Sequence, residues 1–250
     1  YCGTSNGTSQ TSYNNFKTGG AAISSFESVG LNREVSFVST TDLHTTTPCI
    51  ANAGANVLSI VPDDIDNTAR TSTPDIGADE FTTNAFDASV IYVRSPANAV
   101  VTPGSPYTIV ITVRNNGSAA ITTLDANYSV NNGAATSQTF TVGAGLPVGG
   151  IQACDTLQLT FTVPFTFGAG GNNVFRAFTG NVNTNADLVN SNDTLVANFC
   201  TPFSGVFTIN KNLPQTQTNF TSVQSAVNAV YSCGVVGPVT LRIEAGSGPY

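Results

Sequence analysis

Hydrophobic and polar residues alternate most regularly in the middle of the chain. In the run YTIVITV, Tyr107, Ile109, Ile111 and Val113 fall on one side and the residues between them on the other. A repeat of two residues predicts a strand with one buried face. Similar runs predict six further strands, at residues 89–94, 124–130, 138–142, 157–163, 173–179 and 193–199.

Turn residues separate these predicted strands. The triplet NNG occurs at residues 115–117 and again at residues 131–133, and asparagine and glycine tolerate the positive φ angles of tight turns. Seven strands with no helical stretch between them predict an antiparallel β-sandwich of immunoglobulin type over residues 84–202. The tryptophan that often marks such a core is missing, because the chain contains none.

The region before the sandwich has a different pattern. Residues 1–83 are rich in Gly, Ser, Thr and Asn, and their apolar runs are short, as in VSFVS at 35–39 and NVLSIV at 56–61. Such runs are too short and too irregular for helices. They predict short strands joined by polar turns.

The region after residue 202 predicts a strand, a helix and a second strand. The strands are GVFTIN at 205–210 and PVTLRIEAG at 238–246. Between them, apolar residues recur at the spacing of an amphipathic helix of about three turns: Phe220, Val223, Ala226, Val227 and Val230. We expect Asn219 or Thr221 to cap the start of this helix and Gly234 to end it.

Composition narrows the classes of function. Only 9% of the residues are charged, and the formal net charge is −7. Such a chain lacks the clustered Lys and Arg that release counterions from the phosphates of nucleic acid. No apolar run approaches the roughly 20 residues that span a bilayer. We therefore expect neither nucleic acid binding nor direct membrane insertion. Because the chain begins at Tyr1 rather than Met, we also expect it to be a piece of a longer polypeptide.

The cysteines favour disulfides over a metal site. Their wide spacing, with no CxxC pair, excludes a zinc-finger arrangement. An odd number leaves at least one thiol without a partner inside the chain, and export would permit the others to pair. We expect Cys154 and Cys200 at opposite ends of the sandwich and not bonded to each other. The five cysteines are Cys2, Cys49, Cys154, Cys200 and Cys233.

An acidic run precedes the sandwich. DDIDNTARTSTPDIGADEF, at residues 63–81, holds six of the fifteen acidic residues around Arg70. Asp63, Asp64 and Asp66 offer closely spaced carboxylate oxygens of the kind that Ca²⁺ collects, although no complete calcium loop ending in glutamate is present. A structural role is the favoured interpretation of the run, with calcium binding as the alternative.

Catalysis is a weaker interpretation of the same residues. Paired carboxylates serve glycosidases, but we expect these acids at the end of a β domain rather than on a substrate-binding face. His44 is the only histidine, so every histidine-dependent nucleophile scheme must use it. We expect a structural role for it instead, and we predict that the glycine-rich run at residues 143–150 is a loop.

Three segments carry a family resemblance. FVSTTDLHTTTPCIANAG at 37–54, followed by the acidic run, resembles the closing coils of right-handed parallel β-helix (pectin-lyase-like) domains in very large exported surface proteins of Bacteroidota. The likeness departs from that pattern at Asn67, where glycine is usual, and at Thr45, where leucine is usual. Residues 205–243 resemble the capping helix and first coil of another such β-helix, and the region between resembles the CARDB-type immunoglobulin-like modules of adhesins.

The resemblance implies an all-β fold in three parts. These are the C-terminal coils and cap of a parallel β-helix over residues 1–83, an immunoglobulin-like (CARDB-type) β-sandwich over 84–202, and the N-terminal cap and start of a second parallel β-helix over 203–250. A β-helix exposes unpaired sheet edges at its ends, and these must be covered. Arg70, Asp75, Asp79 and Glu80 are therefore expected to form a structural cap, in which Arg70 neutralises some of the carboxylates.

The resemblance also implies a function outside the cell. The chain would be a non-catalytic structural or adhesive segment of a large repetitive cell-surface protein, exported by the type IX system and adhesive in roles such as gliding motility. Expected partners are neighbouring repeats of the same polypeptide and surface polysaccharide or other cell-surface proteins. No cofactor is expected apart from the calcium considered above. The D-T-L triplets resemble the O-glycosylation sequon of Bacteroidota and would place sugars on Thr156 and Thr194.

Two other functions stay open. The chain could belong to a secreted β-helix protein that binds or degrades polysaccharide through coils outside this segment. It could also be a calcium-dependent binding module.

Overall fold

The alternating runs of the central region form the strands of two packed sheets. The computed structural model describes residues 35–249. One sheet has the order β1-β3-β7 and the other β10-β9-β4-β5-β6, while β2 and β8 form a separate short pair. The strands are β1 (Ala88–Ser95), β2 (Pro106–Tyr107), β3 (Val110–Asn115), β4 (Thr123–Val130), β5 (Thr136–Val142), β6 (Gly145–Leu146), β7 (Thr156–Thr160), β8 (Phe165–Thr166), β9 (Gly171–Val182) and β10 (Thr194–Thr201).

The order of these strands is that of an immunoglobulin-type sandwich. β3 and β4 follow each other in sequence but lie in different sheets, and β7 returns to pair with β3 while β9 pairs with β4. Within residues 86–201, the pairs between named strands are antiparallel except for the short parallel pair of β5 and β6. Such crossings between two sheets are the Greek-key connections of that fold. The predicted all-β fold is confirmed.

The core contains the face that the alternation predicted. Tyr128 stacks on Phe175 with 5.4 Å between ring centroids and meets Phe161 edge-on at 4.9 Å. Aromatic pairs of this geometry stabilise a core beyond the area that they bury. These rings occupy the centre of a sandwich that has no tryptophan. Three residues of the run YTIVITV are fully buried: Ile109, Ile111 and Val113.

Two predicted strands are shorter than their alternating runs. YTIVITV is divided, because β2 pairs with β8 whereas β3 pairs with β1 and β7. The run at residues 157–163 ends as β7 at Thr160, and Val163 is 60% exposed. Pro164 follows directly, and a proline both lacks an amide donor and restricts the residue before it.

After the sandwich, the chain forms a small parallel sheet with one helix. β11 (Phe203–Ile209) pairs in parallel with β12 (Asn219–Phe220) and with β13 (Val235–Ile243). Helix α1 (Val223–Cys233) connects β12 to β13. No helix in the described residues has both the length and the apolar character needed to cross a membrane. A separate apolar cluster joins sheet and helix: Phe203, Phe207, Ile209, Phe220, Ala226 and Cys233.

Helix α1 begins one residue later than a cap at Thr221 predicts and three residues later than a cap at Asn219 predicts. Ser222 is its N-cap, since the Ser222 hydroxyl accepts the amide of Ser225 at 3.0 Å and the Ser225 hydroxyl accepts the amide of Ser222 at 3.2 Å. This reciprocal arrangement is a capping box. The predicted caps Asn219 and Thr221 are therefore wrong, and Asn219 lies in β12 instead. Gly234 ends the helix as predicted, with a φ of 74°.

The sandwich and the parallel sheet are joined without a linker. β10 runs into β11 with only Pro202 between them. A disulfide joins Cys200 in β10 to Cys233 at the end of α1. Cys49 and Cys154 are also disulfide-bonded. The expectation that Cys154 and Cys200 are not bonded to each other is confirmed.

The chain divides into two compact units. The sandwich and the parallel sheet belong to Phe86–Asn115 with Ala119–Tyr250, and the other unit is Tyr1–Ala85 with Asn116–Ser118. Within residues 35–85, that second unit has isolated bridges and a 3₁₀ turn at Pro48–Ile50 but no strand ladder. Coils of the expected β-helix are not seen in this range, and the rest of the predicted first domain lies outside the described residues.

The predicted strand at residues 56–61 is wrong. The amides of Ile60 and Val61 both donate to the carbonyl of Val57, at 2.9 and 2.8 Å, so the run folds into a turn. The Asn56 side-chain oxygen accepts the amide two residues further along at 3.2 Å. Such local bonds from asparagine compete with strand pairing. The predicted strand at residues 35–39 is likewise reduced to one isolated bridge.

Candidate functional site

Asp64 holds the acidic run together through backbone bonds. One carboxylate oxygen accepts the amides of Asp66 and Thr68 at 2.8 and 2.7 Å, and the other accepts the amide of Glu80 at 2.9 Å. Burial raises the pKa of Asp64, but these three amides outweigh it and hold the pKa below its ordinary value. Both Asp64 oxygens are thus engaged in joining the start of the run to its end.

Arg70 and Glu80 form a buried ion pair in the same run. Their side chains are 5% and 11% exposed, and Arg70 Nη1 lies 2.7 Å from Glu80 Oε1. The same Glu80 oxygen accepts the amide of Asp75 at 2.9 Å. The Asp75 oxygens accept the amides of Asn52 and Phe81 at 2.6 and 2.7 Å. These predicted cap residues therefore close the run on itself and on the segment before it.

His44 lies between two aspartates. Its Nδ1 is 2.5 Å from Asp42 Oδ1, and its Nε2 is 2.5 Å from Asp66 Oδ2. The bond to Asp66 and then the bond to Asp42 raise the pKa of His44 to about 9. The imidazole is therefore charged at neutral pH. A charged imidazole cannot accept a proton as a general base.

One group of side chains in residues 35–249 places three potential metal ligands within 4.8 Å of one another: His44, Asp66 and Asp79. They line an open cavity of about 660 Å³. The imidazole would first have to lose its proton, because only the neutral ring binds a metal. Of the predicted calcium ligands, the structure brings only Asp66 to this group. Asp64 binds backbone amides, and Asp63 is exposed.

A second acidic cluster lies in the sandwich, where no sequence pattern indicated it. Asp87 precedes β1, Asp187 lies between β9 and β10, and Asp193 precedes β10, and their exposures are 6%, 7% and 8%. Burial, and then the charges of Asp187 and Asp87, raise the pKa of Asp193 to about 6. Burial and the charge of Asp87 also raise the pKa of Asp187, despite hydrogen bonds from backbone amides. The three residues are far apart in sequence, so only the fold brings them together.

The two predicted glycosylation sites occupy equivalent positions. Thr156 begins β7 and Thr194 begins β10, and both side chains are exposed. Their accessibility is compatible with modification, which stays a prediction.

Comparison with known proteins assigns no family. No protein-family model and no curated protein matches the chain. A similar solved structure is the CARDB domain of the PF1109 protein from Pyrococcus furiosus, in complex with di-metal ions, with 17% identity, a TM-score of 0.34, and coverage of 49% of this chain and 94% of that chain. β-Glucosidase from Listeria innocua, in complex with glucose and with isofagomine, gives 13% and 12% identity and TM-scores of 0.27 and 0.26.

Both β-glucosidase matches cover 57% of this chain and only 19% of the enzyme. Similarities at these TM-scores carry no argument about function. The chain is therefore described by its own strand order, as an immunoglobulin-type sandwich that continues into a parallel sheet.

Proposed function

We propose that the chain is a non-catalytic structural and adhesive segment of a large repetitive protein on the cell surface. The observation that carries this proposal is the junction after the sandwich. β10 passes into β11 through Pro202 alone, and the disulfide between Cys200 and Cys233 fastens the strand to helix α1. Disulfides persist in oxidising compartments such as the cell exterior. A junction without a flexible linker transmits force between its two parts.

The parallel sheet supports the further proposal that a β-helix begins here. β13 lies at the edge of the sheet, and an edge strand offers unpaired backbone groups to a further coil. Val236 and Ile243 in β13 are 60% and 56% exposed. A following coil would cover such apolar residues. The resemblance to Bacteroidota surface proteins adds export by the type IX system and adhesion in gliding to this proposal.

The chemistry of the acidic run supports a non-catalytic role. His44 is the only histidine of the chain, and its charge at neutral pH prevents it from acting as a general base. The carboxylates of Asp64 and Asp75 accept backbone amides, and Glu80 is paired with Arg70. Groups held in this way stabilise a loop and are not free to move protons.

Pulling the chain by its two ends in a single-molecule force experiment tests the proposal. We expect the sandwich and the parallel sheet to unfold in one event, because the disulfide fastens one to the other. The double variant Cys200→Ala/Cys233→Ala is the matched control and should release the parallel sheet first. It should also extend about 110 Å further, since 33 residues separate the two cysteines and each contributes roughly 3.3 Å or slightly more.

Two outcomes would contradict the proposal. If the parallel sheet of the oxidised wild type unfolded alone at low force, the junction would not be a stiff one. If the purified chain released reducing ends from polysaccharide, the chain would be an enzyme instead.

A further inference from the structure

The buried aspartates of the sandwich meet where β1 passes the connection between β9 and β10. Asp187 accepts the amides of Ala88 and Val189 at 2.8 and 2.9 Å. Asp87 accepts the side-chain amide of Asn192 at 3.0 Å. Among the described residues, no ion pair includes Asp187 or Asp193. The negative charge of these two carboxylates is therefore not balanced by a described arginine or lysine.

Two oxygens in this cluster are buried without a donor. Asp193 Oδ1 and Asn192 Oδ1 have no hydrogen-bond partner, and Asp193 as a whole is only 8% exposed. Thr179 is adjacent, but its hydroxyl has a single proton, which it donates to the carbonyl of Ala88 at 2.8 Å. Buried acceptors that no donor satisfies are rare in folded proteins, and a bound ion is one of the few physical explanations for them.

We propose that Asp87, Asp187 and Asp193 bind a calcium ion, with the side-chain oxygen of Asn192 as a neutral ligand. Carboxylate and amide oxygens are the ligands that Ca²⁺ collects, six to eight at a time with waters included. The cation would turn the mutual repulsion of three buried carboxylates into attraction. This site is separate from the acidic run at residues 63–81 and lies in the other unit of the chain.

The carboxylates must draw together when the ion enters. In residues 35–249, only His44, Asp66 and Asp79 place ligand atoms within 4.8 Å of one another, so at least two of the sandwich carboxylates stand further apart than that. Ca²⁺ tolerates irregular and flexible coordination, whereas Mg²⁺ demands near-octahedral geometry. The proposed site therefore favours Ca²⁺ over Mg²⁺.

An open groove leads from solvent to this cluster. It has a volume of about 510 Å³, and both Asp187 and Asp193 line it. The groove gives the ion an entry path and leaves room for water ligands. Asp125 lines the same groove, but its carboxylate already accepts the Thr139 hydroxyl at 2.6 Å and the Asn181 side-chain amide at 3.1 Å. Asp125→Asn is thus a matched control that changes the charge of the groove and not the proposed ligands.

Calorimetric titration of the metal-free 250-residue chain with CaCl₂ tests the proposal. We expect a dissociation constant of about 10⁻⁴ to 10⁻³ M, as in extracellular calcium modules. Asp187→Asn and Asp193→Asn should each weaken binding more than about 10-fold, because even outer-shell changes at metal sites weaken binding 10- to 100-fold. Asp125→Asn and Asp66→Asn should bind as the wild type does. MgCl₂ at the same concentration should give a much smaller heat.

Thermal unfolding separates a metal ligand from a structural residue. If the dissociation constant is about 10⁻⁴ M, 10 mM Ca²⁺ multiplies the folding constant of the wild type roughly 100-fold and raises its Tm. In EDTA, the Tm of Asp193→Asn should equal or exceed that of the wild type, because the substitution removes one of three repelling charges. The added Ca²⁺ should no longer raise it.

Three results would overturn the proposal. The first is no binding by the wild type up to several times the highest expected dissociation constant. The second is unchanged binding in both Asp187→Asn and Asp193→Asn, and the third is binding that only Asp66→Asn abolishes, which would place the ion in the other unit.

Discussion

Removing the disulfide between Cys200 and Cys233 should destabilise the junction by an amount that its loop length determines. The bond closes a loop between residues 33 positions apart. In the chain-entropy model, opening such a loop returns conformational freedom to the unfolded chain worth about 4 kcal/mol at 25 °C. Cys233 is also 5% exposed within the apolar cluster, so replacing it by alanine adds a packing loss of about 1 kcal/mol.

Urea unfolding of the Cys200→Ala/Cys233→Ala variant measures this loss. Far-ultraviolet circular dichroism is the suitable signal, because the chain has no tryptophan. With a slope of about 2 kcal/mol per molar urea, a loss of 4 to 5 kcal/mol moves the midpoint of the transition that includes the parallel sheet down by about 2 M. The wild type without reductant is the reference.

Adding reductant separates the contribution of the disulfide to the free energy of unfolding from the contribution of packing. Under reducing conditions the wild type loses its disulfides, so it and the variant should then differ by only the packing loss of about 1 kcal/mol. A difference that stays near 4 kcal/mol in reductant would show that packing, not loop closure, is responsible. A difference below 1 kcal/mol without reductant would refute the reasoning altogether.

Three further predictions concern single side chains. An NMR titration of His44 should give a pKa near 9. Because folding raises that pKa, the stabilisation that the charged His44 provides is complete below pH 6.5 and is lost as the pH rises through 9. A measured pKa near 6.5 would contradict this prediction. Glu80→Gln should lower the free energy of unfolding, measured in urea, by about 3 kcal/mol, because it leaves a buried guanidinium unpaired. Gly170→Ala should lower the free energy of unfolding by about 3 kcal/mol in the same assay, because the residue has a φ of +75° and the new Cβ would lie 2.7 Å from the Phe207 ring. Gly104→Ala is the control: Gly104 has a φ of +77° but faces open space, so this change should lower the free energy of unfolding by only about 1 kcal/mol.

The sandwich was predictable because a strand with one buried face has alternating apolar and polar residues in its sequence. Alternation placed Leu124, Ala126 and Tyr128 on one face, and all three are buried. The ends of strands were less predictable, since pairing partners decide them. The helix was predictable from its apolar spacing, but its cap at Ser222 was not, because Asn219 and Thr221 are also capping residue types and only the bonds with Ser225 decide between them.

The acidic run shows which part of a site a sequence can reveal. The sequence showed that acidic residues are concentrated in this run. Asn67 has a positive φ of 64°, as expected of a residue that replaces glycine. The separate roles of Asp64, which binds amides, and Asp66, which binds His44, depend on loop geometry. The cluster in the sandwich depends on contacts between distant segments, and no local pattern in the sequence encodes it.

The two acidic clusters differ in where their counter-charge comes from. Around residues 63–81 the chain supplies the cations itself, because Arg70 pairs with Glu80 and His44 pairs with Asp66. Within the described part of the sandwich unit, Arg94 lies over the ring of Tyr92 and Arg242 pairs with Glu244. Under the calcium proposal, the balancing charge for the sandwich cluster comes from solution.

Strand β10 would then be held at both ends by different means. Asp193 stands immediately before its first residue, and Cys200 lies at its far end. A calcium ion would fasten the start of the strand to β1, in the opposite sheet, while the disulfide fastens its end to helix α1. The stiffness of the sandwich would therefore depend on calcium at one end and on an oxidising environment at the other. Extracellular fluid supplies both conditions, which is consistent with the proposed location on the cell surface.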